Sequence, residues 1–366
     1  MSPGPPSLSV VIPTRNEREN IPRLLEALRI VLSALDYELV FVDDSTDGTD
    51  AVLAGLALDD ARVRVHHRDR GDGLAGAVAA GFGLSRGRLI GVMDADLQHP
   101  PQILPALVRR LDEARADIAV ASRYLPGAGR PGLGPWRRFV SQGTRLVSKV
   151  FLAAARRSSD PLSGCFVVRR EVLEGVTLRP VGFKILLEVL ARGRYARVSD
   201  VPYVFAERGA GRTKATLRQG LDYFRHVALL VAGSPSDSRL WKFLLVGASG
   251  VVVNMLVFWM LLHPARVHYL YAGVVAGLVS TFTNFVLNNA FTWADRREGA
   301  RSVFLQRLGK YYVATWAGYL VYLGLLWGLT HLGLAPMLSN LLAIGAGGML
   351  NYAMHNVWTW RGQQGG

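Results

Sequence analysis

Half of the 366 residues are hydrophobic and only 19% are charged, a balance too apolar for an ordinary soluble protein of this size, in a chain long enough for two or three domains. The formal net charge of +14 comes with no nucleic-acid-binding motif, and many of the basic residues flank apolar stretches, so an anionic membrane surface is the expected partner and nucleic acid is set aside. Cys165 is the only cysteine, which excludes an intrachain disulfide and a cysteine-cluster metal site; it reads as a small packed side chain.

The N-terminal "MSPGPPS" has neither a basic flank nor an apolar core, so it does not read as a signal peptide, and the domain that follows is expected to stay cytoplasmic. Along residues 8–205 short runs rich in Val and Ile alternate with amphipathic segments: "LSVVIP", "NIPRLLEALRIVLSAL", "YELVFVDD", "GTDAVLAGLAL", "RVRVHH". This alternation predicts β-α-β units and a mostly parallel sheet covered on both faces, with ligands at the carboxyl ends of the strands.

Three polar clusters fall at such ends: "PTRNE" (13–17), "DDSTDGT" (43–49) and "DADLQHP" (94–100). Asn16, Asp47 and Asp96 each have a plain reading as helix caps, because their side-chain oxygens satisfy orphan backbone N–H groups. Taken together, three acidic strand ends would gather negative charge in one crevice, which is stable only beside a cation or strong donors. Mg²⁺ or Mn²⁺ meets that need, since it prefers hard oxygen ligands and takes one or two from protein, leaving the rest to phosphates and water. On a strand residues 94 and 96 point to one face, and Gln98 can reach back as the chain turns at His99-Pro100-Pro101. The substrate is therefore expected to carry a diphosphate.

The ordered set P-T-R-N-E, D-D-S-T-D-G-T, D-A-D-L-Q-H-P, S-R-Y, D-P-L-S-G and G-F-K resembles the family-two glycosyltransferases of the GT-A fold, in particular the dolichol- or polyprenyl-phosphate mannose synthases and their glucosyl relatives. The polymer-synthase signature Q-x-x-R-W is missing. The resemblance implies an α/β GT-A catalytic domain, Rossmann-like, over residues 1–211. It implies that Pro13, Arg15 and Glu17 contact the nucleotide, that Val42 and Asp44 meet base and ribose, and that Asp94, Ala95 and Asp96 lie at the diphosphate and sugar. Asp96 and Gln98 would hold Mg²⁺ or Mn²⁺. Arg123 in "ASRYLP" and Arg137 in "GPWRR" would clamp the lipid phosphate, and Arg208 and Lys214 in "ERGAGRTK" would join the nucleotide-sugar site. Asp94, Asp96, Arg123 and Arg137 form the expected catalytic set. Arg15 stands where the family usually has Tyr, and Thr213-Lys214 where it usually has Ser-Lys, so the nucleotide base stays open.

A lipid phosphate monoester with a second pKa near ~6 is largely ionised at neutral pH and needs positive charge around it rather than a side-chain base. The expected reaction is one in-line displacement at the anomeric carbon, with inversion, onto dolichyl or polyprenyl phosphate. The expected donor is a nucleotide sugar, GDP-mannose first and UDP-glucose as the alternative. A reading from another class is a lipid-linked sugar translocator whose soluble half only binds or regulates.

Residues 212–232 place Leu217, Leu221, Phe224, Val227 and Leu229 near one side, with Arg212, Lys214, Arg218, Arg225 and His226 elsewhere, which predicts a helix lying at the membrane surface. "GSPSDS" (233–238) reads as a short linker. Residues 243–262, 269–291, 311–330 and 332–354 contain no Asp, Glu, Lys or Arg, and each is long enough to cross the bilayer, so four transmembrane helices are expected within 239–361. The connection 294–310 carries Arg296, Arg297, Arg301, Arg307 and Lys310, and the other two connections hold only Arg266, so the middle loop and both ends of this all-α bundle face the cytoplasm.

The bundle repeats itself. "KFLLVGASGVVVNMLVFW" from Lys242 aligns with "KYYVATWAGYLVYLGLLW" from Lys310, and "NFVLNNAFTW" (284–293) with "NYAMHNVWTW" (351–360). This offset of 67–68 residues predicts two parallel two-helix units, and the pattern is similar to the GtrA-like four-helix membrane domains. Asn284, Asn288, Asn289, Asn351 and Asn356 either bond one another between helices or meet a lipid-phosphate headgroup.

Overall fold

The computed structural model describes residues 4–69, 73–129, 134–206, 217–296 and 301–360. The chain divides into two compact units, Met1–Val231 and Ala232–Gly366.

In the first unit the chain runs β1 (Leu8–Thr14), α1 (Ile21–Val31), β2 (Tyr37–Asp43), α2 (Thr49–Asp59), β3 (Val63–His67), α3 (Leu74–Leu84), β4 (Leu89–Val92), α4 (Ile103–Glu113), β5 (Ile118–Ser122), α5 (Pro135–Phe151), β6 (Phe166–Arg169), α6 (Ile185–Arg192), β7 (Val198–Pro202) and α7 (Leu217–Gly233). The strands form one sheet in the order β3-β2-β1-β4-β6-β5-β7. Neighbours are parallel except at β6, which is antiparallel to both β4 and β5. Because β1 and β2 are buried along their whole length, both of their faces are apolar, which is why they read as continuous Val and Ile runs rather than an alternation.

The two faces have separate cores. Leu24, Leu25 and Leu28 of α1 and Leu104, Leu107 and Leu111 of α4 cover Val10, Ile12, Leu39 and Phe41 on one face. Ala75 and Val78 of α3 and Ile185, Leu186 and Val189 of α6 cover Val11, Val92, Val120 and Phe166 on the other. The sheet order reverses at β1, with β2 on one side and β4 on the other, so their carboxyl ends open onto a common crevice.

The second unit holds α8 (Pro235–Leu262), α9 (Tyr269–Leu287), α10 (Arg301–His331) and α11 (Pro336–Met354). Among the described residues three helices are long and apolar enough to cross a membrane: Pro235–Leu262, Val274–Thr292 and Val303–Leu329. The fourth expected span coincides with α11, of 19 residues. α8 packs along α9, and α10 along α11.

The repeat expected from the sequence is visible in the contacts. α9 and α11 each end in a five-residue widened turn, Asn288–Thr292 and His355–Thr359, closed by Trp293 N donating to Asn288 O and Trp360 N donating to His355 O, both at 2.9 Å. The two indoles stack, centroids 4.2 Å apart and planes within 2°. Each donates across to the other repeat: Trp293 Nε1 to Asn356 Oδ1 at 3.4 Å, Trp360 Nε1 to Asn289 Oδ1 at 3.1 Å. The asparagines at 288, 289 and 356 thus bond within the protein.

Two expectations about the joint need correction. "GSPSDS" is not a linker: α7 runs to Gly233 and α8 starts at Pro235, with Ser234 between them as N-cap, its hydroxyl accepting from Asp237 N at 3.4 Å. Ser, Pro and Asp serve a helix start here, with Pro at the first helical position where its missing N–H costs nothing. The basic connection 294–310 is likewise shorter than expected, since α10 begins at Arg301 and takes Arg307 and Lys310 into helix.

Candidate active site

β1 and β2 pair so that Pro13 faces Val42 and Thr14 faces Asp43, which brings the two expected nucleotide-contacting strand ends side by side. Beyond them Arg15, Asp44, Ser45, Thr46, His67, Arg68 and Asp69 line a cleft of about 380 Å³. The cleft is braced from below by Asp43, fully buried, which accepts from Ser45 Oγ at 2.5 Å and contacts His67 Nδ1 at 2.8 Å. That hydrogen bond holds the His67 imidazole above its usual pKa. Asp44 is bound by Arg68 through Nε at 2.8 Å and Nη2 at 2.6 Å, a paired contact that fixes its carboxylate at the rim. Asn16, at φ +57°, accepts from Thr46 N, so it ties the β1 loop to the β2 loop instead of capping α1. Glu17 Oε2 accepts from Asn20 Nδ2 at 2.6 Å. Neither His67 nor Arg68 was expected from the sequence; only their place at the end of the "RVRVHH" run could have pointed to them.

β4 stops at Val92, so Asp94 and Asp96 lie in the loop beyond the strand rather than on it. The loop is shaped by Leu97 at φ +61° and by Asp96 Oδ1 accepting from Gln98 N at 3.1 Å, so Asp96 does part of the local turn bonding that a plain capping role would give it. Gln98 Nε2 donates to Ala206 O at 3.4 Å. Ala95 is buried in the core and anchors the loop between the two carboxylates. Gly164 lies under Asp94: a Cβ there would fall 2.4 Å from Asp94 Oδ2, so only glycine leaves room for this carboxylate. His99 is buried, stacked on Tyr203 at 5.4 Å and edge-on to Phe205, and burial pushes its pKa down to about 4, so it packs as a neutral ring behind the loop.

Among the described residues no three His, Cys, Asp or Glu side chains come together as a self-sufficient metal cage. The donors at the β4 end are hard oxygens, and the space Gly164 leaves for the Asp94 carboxylate is a cradle for it. This set fits Mg²⁺ or Mn²⁺ sharing its coordination with a diphosphate.

Two half-buried cations stand beside these acids. Arg123 donates to Asp160 through Nε at 2.7 Å and Nη2 at 3.1 Å. Burial opposes its charge, but the Asp160 contacts outweigh that and raise its pKa. The expected phosphate clamp is therefore already gripped by a carboxylate, which sequence spacing could not foretell because Asp160 lies 37 residues on. Lys184, of the "GFK" motif, was not singled out. Its Nζ donates to Leu162 O at 3.0 Å, and burial, with Arg123 nearby, brings its pKa down to about 8, while Asp160 and Asp94 favour the charged form.

Arg137 lies on α5, and nothing further is described of its side chain; Arg208 and Lys214 lie outside the described residues. α5 exposes Phe139, Val140, Leu146 and Val150, an apolar face that the sequence reading missed. α7 exposes Leu221, Phe224 and Leu229, but buries Tyr223, His226, Val227 and Leu230. The expected division of α7 into apolar and basic sides is thus incorrect for Val227 and His226. Tyr223 Oη meets Ser148 Oγ at 2.8 Å and donates to Thr144 O at 2.6 Å, which docks α7 on α5.

Residues 9–177 match Glycosyl transferase family 2, and residues 242–360 match the GtrA/DPMS transmembrane domain. The chain is 36% identical over 356 residues to a dolichol-phosphate mannosyltransferase of Pyrococcus furiosus, covering 96% of this chain and 99% of that protein. It is 41% identical over 215 residues to a polyprenol monophosphomannose synthase of Mycolicibacterium smegmatis, covering 56% of this chain and 79% of that protein. Among solved structures, glucosyl-3-phosphoglycerate synthase from Mycobacterium tuberculosis with Mn²⁺, uridine-diphosphate-glucose and phosphoglyceric acid aligns with a TM-score of 0.47 at 19% identity, over 62% of this chain and 79% of that one. With a GtrA/DPMS membrane domain joined to a family 2 catalytic domain, matched along nearly its whole length, the chain belongs to the dolichol-phosphate mannosyltransferase family and is a multi-pass membrane glycosyltransferase.

Proposed function

We propose that the protein transfers mannose from GDP-mannose to a polyprenyl or dolichyl phosphate, with its catalytic domain on the cytoplasmic side of a four-pass membrane anchor. The observation that carries this reading is the meeting of an acidic strand end with half-buried cations: Asp94 and Asp96 on one side, Arg123 and Lys184 on the other. A site for one negative phosphate needs no carboxylates, whereas a site where a diphosphate and a phosphate monoester must approach each other needs both kinds of charge.

In this reading Arg15, Asp44 and Arg68 hold the nucleoside, with Pro13 and Val42 under the base. Glu17, Ala95, Arg208 and Lys214 complete the donor side. Asp96 and Gln98 hold Mg²⁺ or Mn²⁺, which supplies charge stabilisation for the departing nucleoside diphosphate. Asp94 is held by the Gly164 cradle at the sugar. Arg123 and Arg137 hold the lipid phosphate, whose oxygen forms the new bond to the anomeric carbon as the bond to the nucleoside diphosphate breaks and its electron pair leaves with that group. The exposed apolar faces of α5 and α7 lie among headgroups, which brings the acceptor phosphate to the site without leaving the bilayer.

The test is a nucleotide-sugar screen on the full chain in lipid nanodiscs containing a polyprenyl phosphate, scored by the mass of the lipid product. GDP-mannose is expected to give a mannosyl-phosphate lipid. Product from UDP-glucose alone would replace mannose by glucose, and movement of a lipid-linked sugar between leaflets with no transfer in any mixture would make the chain a translocator.

A further inference from the structure

Glu188 is fully buried on α6, four residues beyond the active-site lysine, and its carboxylate draws on three different parts of the chain. Oε2 meets His226 Nε2 of α7 at 2.7 Å. Oε1 accepts from Arg179 N at 2.8 Å, in the loop that leads to Lys184, and lies 2.6 Å from Arg192 Nε of its own helix as an ion pair. A buried carboxylate is costly unless its oxygens are met by donors, so this arrangement stands only while loop, α6 and α7 are held together. A second contact joins the same parts: Gly182, at φ +76°, has room for no more than a Cβ before Asp222 of α7, at 3.4 Å, while its carbonyl accepts from Ala75 N at the start of α3. The segment Gly182–Lys184 is therefore clamped between α3, which borders the nucleotide cleft through Arg68 Nη2 and Gly73 O, and α7. α7 exposes Leu221 and Phe224 on its outer side, away from this contact.

We propose that the Glu188–His226 contact is a positioning strut through which α7, seated on lipid, holds the Gly182–Lys184 segment in register with the acidic strand end, so that lipid acceptor at the membrane sets the place of Lys184 in the site. Glu188 and His226 are positioning residues and touch neither substrate. The inference rests on the mannosyl-transfer reading above. A strut of this kind affects the chemical step more than donor affinity, because the nucleotide cleft is braced separately by Asp43 and Arg68.

The experiment uses the full chain in nanodiscs with polyprenyl phosphate, and three variants: His226→Phe, His226→Gln and Glu188→Gln. Phenylalanine keeps the ring and loses the donor; glutamine keeps an N–H donor for Glu188. His226→Phe is expected to lower kcat by roughly 10- to 100-fold with nucleotide Kd unchanged within about twofold, since a small misplacement of a site group is felt in turnover. His226→Gln is expected to recover most of kcat, and Glu188→Gln to match His226→Phe. Amide hydrogen exchange over residues 179–187 is expected to slow on adding polyprenyl phosphate in the wild type and in His226→Gln, and not in His226→Phe. Unchanged kcat in His226→Phe, no recovery by glutamine, or exchange insensitive to polyprenyl phosphate in the wild type would each overturn the strut. If His226→Phe lost nucleotide binding, the comparison of wild type with His226→Gln and Glu188→Gln decides by the same criteria. Absence of any wild-type transfer would instead refute the mannosyl-transfer reading, while the exchange measurement still reports on the contact.

Discussion

Gly164 shows how closely the site depends on single atoms. A methyl group there would meet Asp94 Oδ2 at 2.4 Å, so Gly164→Ala is expected to turn Asp94 away and cut turnover at least ~10-fold, while overpacking costs the fold only about 1–3 kcal/mol. Turnover compared with thermal unfolding of the same preparation checks this, and equal losses in both would make Gly164 a merely structural glycine. The metal is tested at the next residues along: Asp96→Ala, or chelation of the wild type, is expected to lower turnover by at least ~100-fold and to abolish metal-dependent nucleotide binding with the fold intact. Full turnover in excess chelator would remove Asp96 and Gln98 from the metal. The proposed assignment of the two phosphates is tested at Arg137. Arg137→Ala is expected to weaken lipid-phosphate use by roughly 10- to 100-fold, the loss of one charge-assisted contact of about 1.5–3 kcal/mol, with nucleotide affinity unchanged. Lysine at 137 should recover only part, because it brings charge without the planar fork. Paired titrations of lipid phosphate and nucleotide decide the assignment.

At the scale of elements, the membrane unit is two copies of one helix pair, and its equivalence can be tested by symmetric damage. A Cβ at Gly250 would fall 2.3 Å from the Asn284 side chain, and one at Gly318 would fall 1.9 Å from Asn351, the same contact in each repeat. Gly250→Ala and Gly318→Ala are each expected to destabilise the unit by about 1–3 kcal/mol in detergent unfolding, leaving nucleotide binding intact. Adding Asn284→Ala should relieve Gly250→Ala and not Gly318→Ala, since coupling is confined to residues in contact. What the sequence made legible follows the same division between local and distant. The strand ends at Pro13 and Val42 and the two-helix repeat are written in short stretches or in plain periodicity, and the structure pairs both; Asp94 and Asp96, expected on one face of a strand, lie instead in the loop beyond it, because β4 stops at Val92. Arg123 with Asp160 and Glu188 with His226 are pairings across 37 and 38 residues that only the tertiary fold creates. α7 shows the limit of periodicity: it yields an apolar stripe, but not whether that stripe meets protein or lipid. A polar residue such as His226 is buried when a distant acceptor awaits it. Ser234 and Pro235 were misread for a related reason, since turn-forming residues and helix starts share a composition.

At the scale of the whole molecule a catalytic unit and a membrane unit meet in sequence at the end of α7, and a single residue, Ser234, separates α7 from α8. In the proposed reading the basic excess of +14, the exposed apolar residues of α5 and α7, and the lipid-sized helices serve the same end: they would confine the site to the surface where its acceptor is dissolved. Confinement raises the effective concentration of the lipid phosphate without adding a contact at the reacting atoms. A fragment ending at Gly233 keeps α5, α7 and the first compact unit, and is expected to fold, bind nucleotide as the full chain does, and bind anionic vesicles in a salt-sensitive way. With a short, water-soluble prenyl phosphate its turnover should lie within about threefold of the full chain, because anchoring gives a dissolved acceptor no advantage; with polyprenyl phosphate in vesicles it should fall at least ~10-fold. The same pair of assays distinguishes the other role for the membrane unit. If the helix bundle itself grips the acceptor phosphate, the fragment loses turnover with the soluble acceptor as well, and the second unit belongs to the active site rather than to its anchorage.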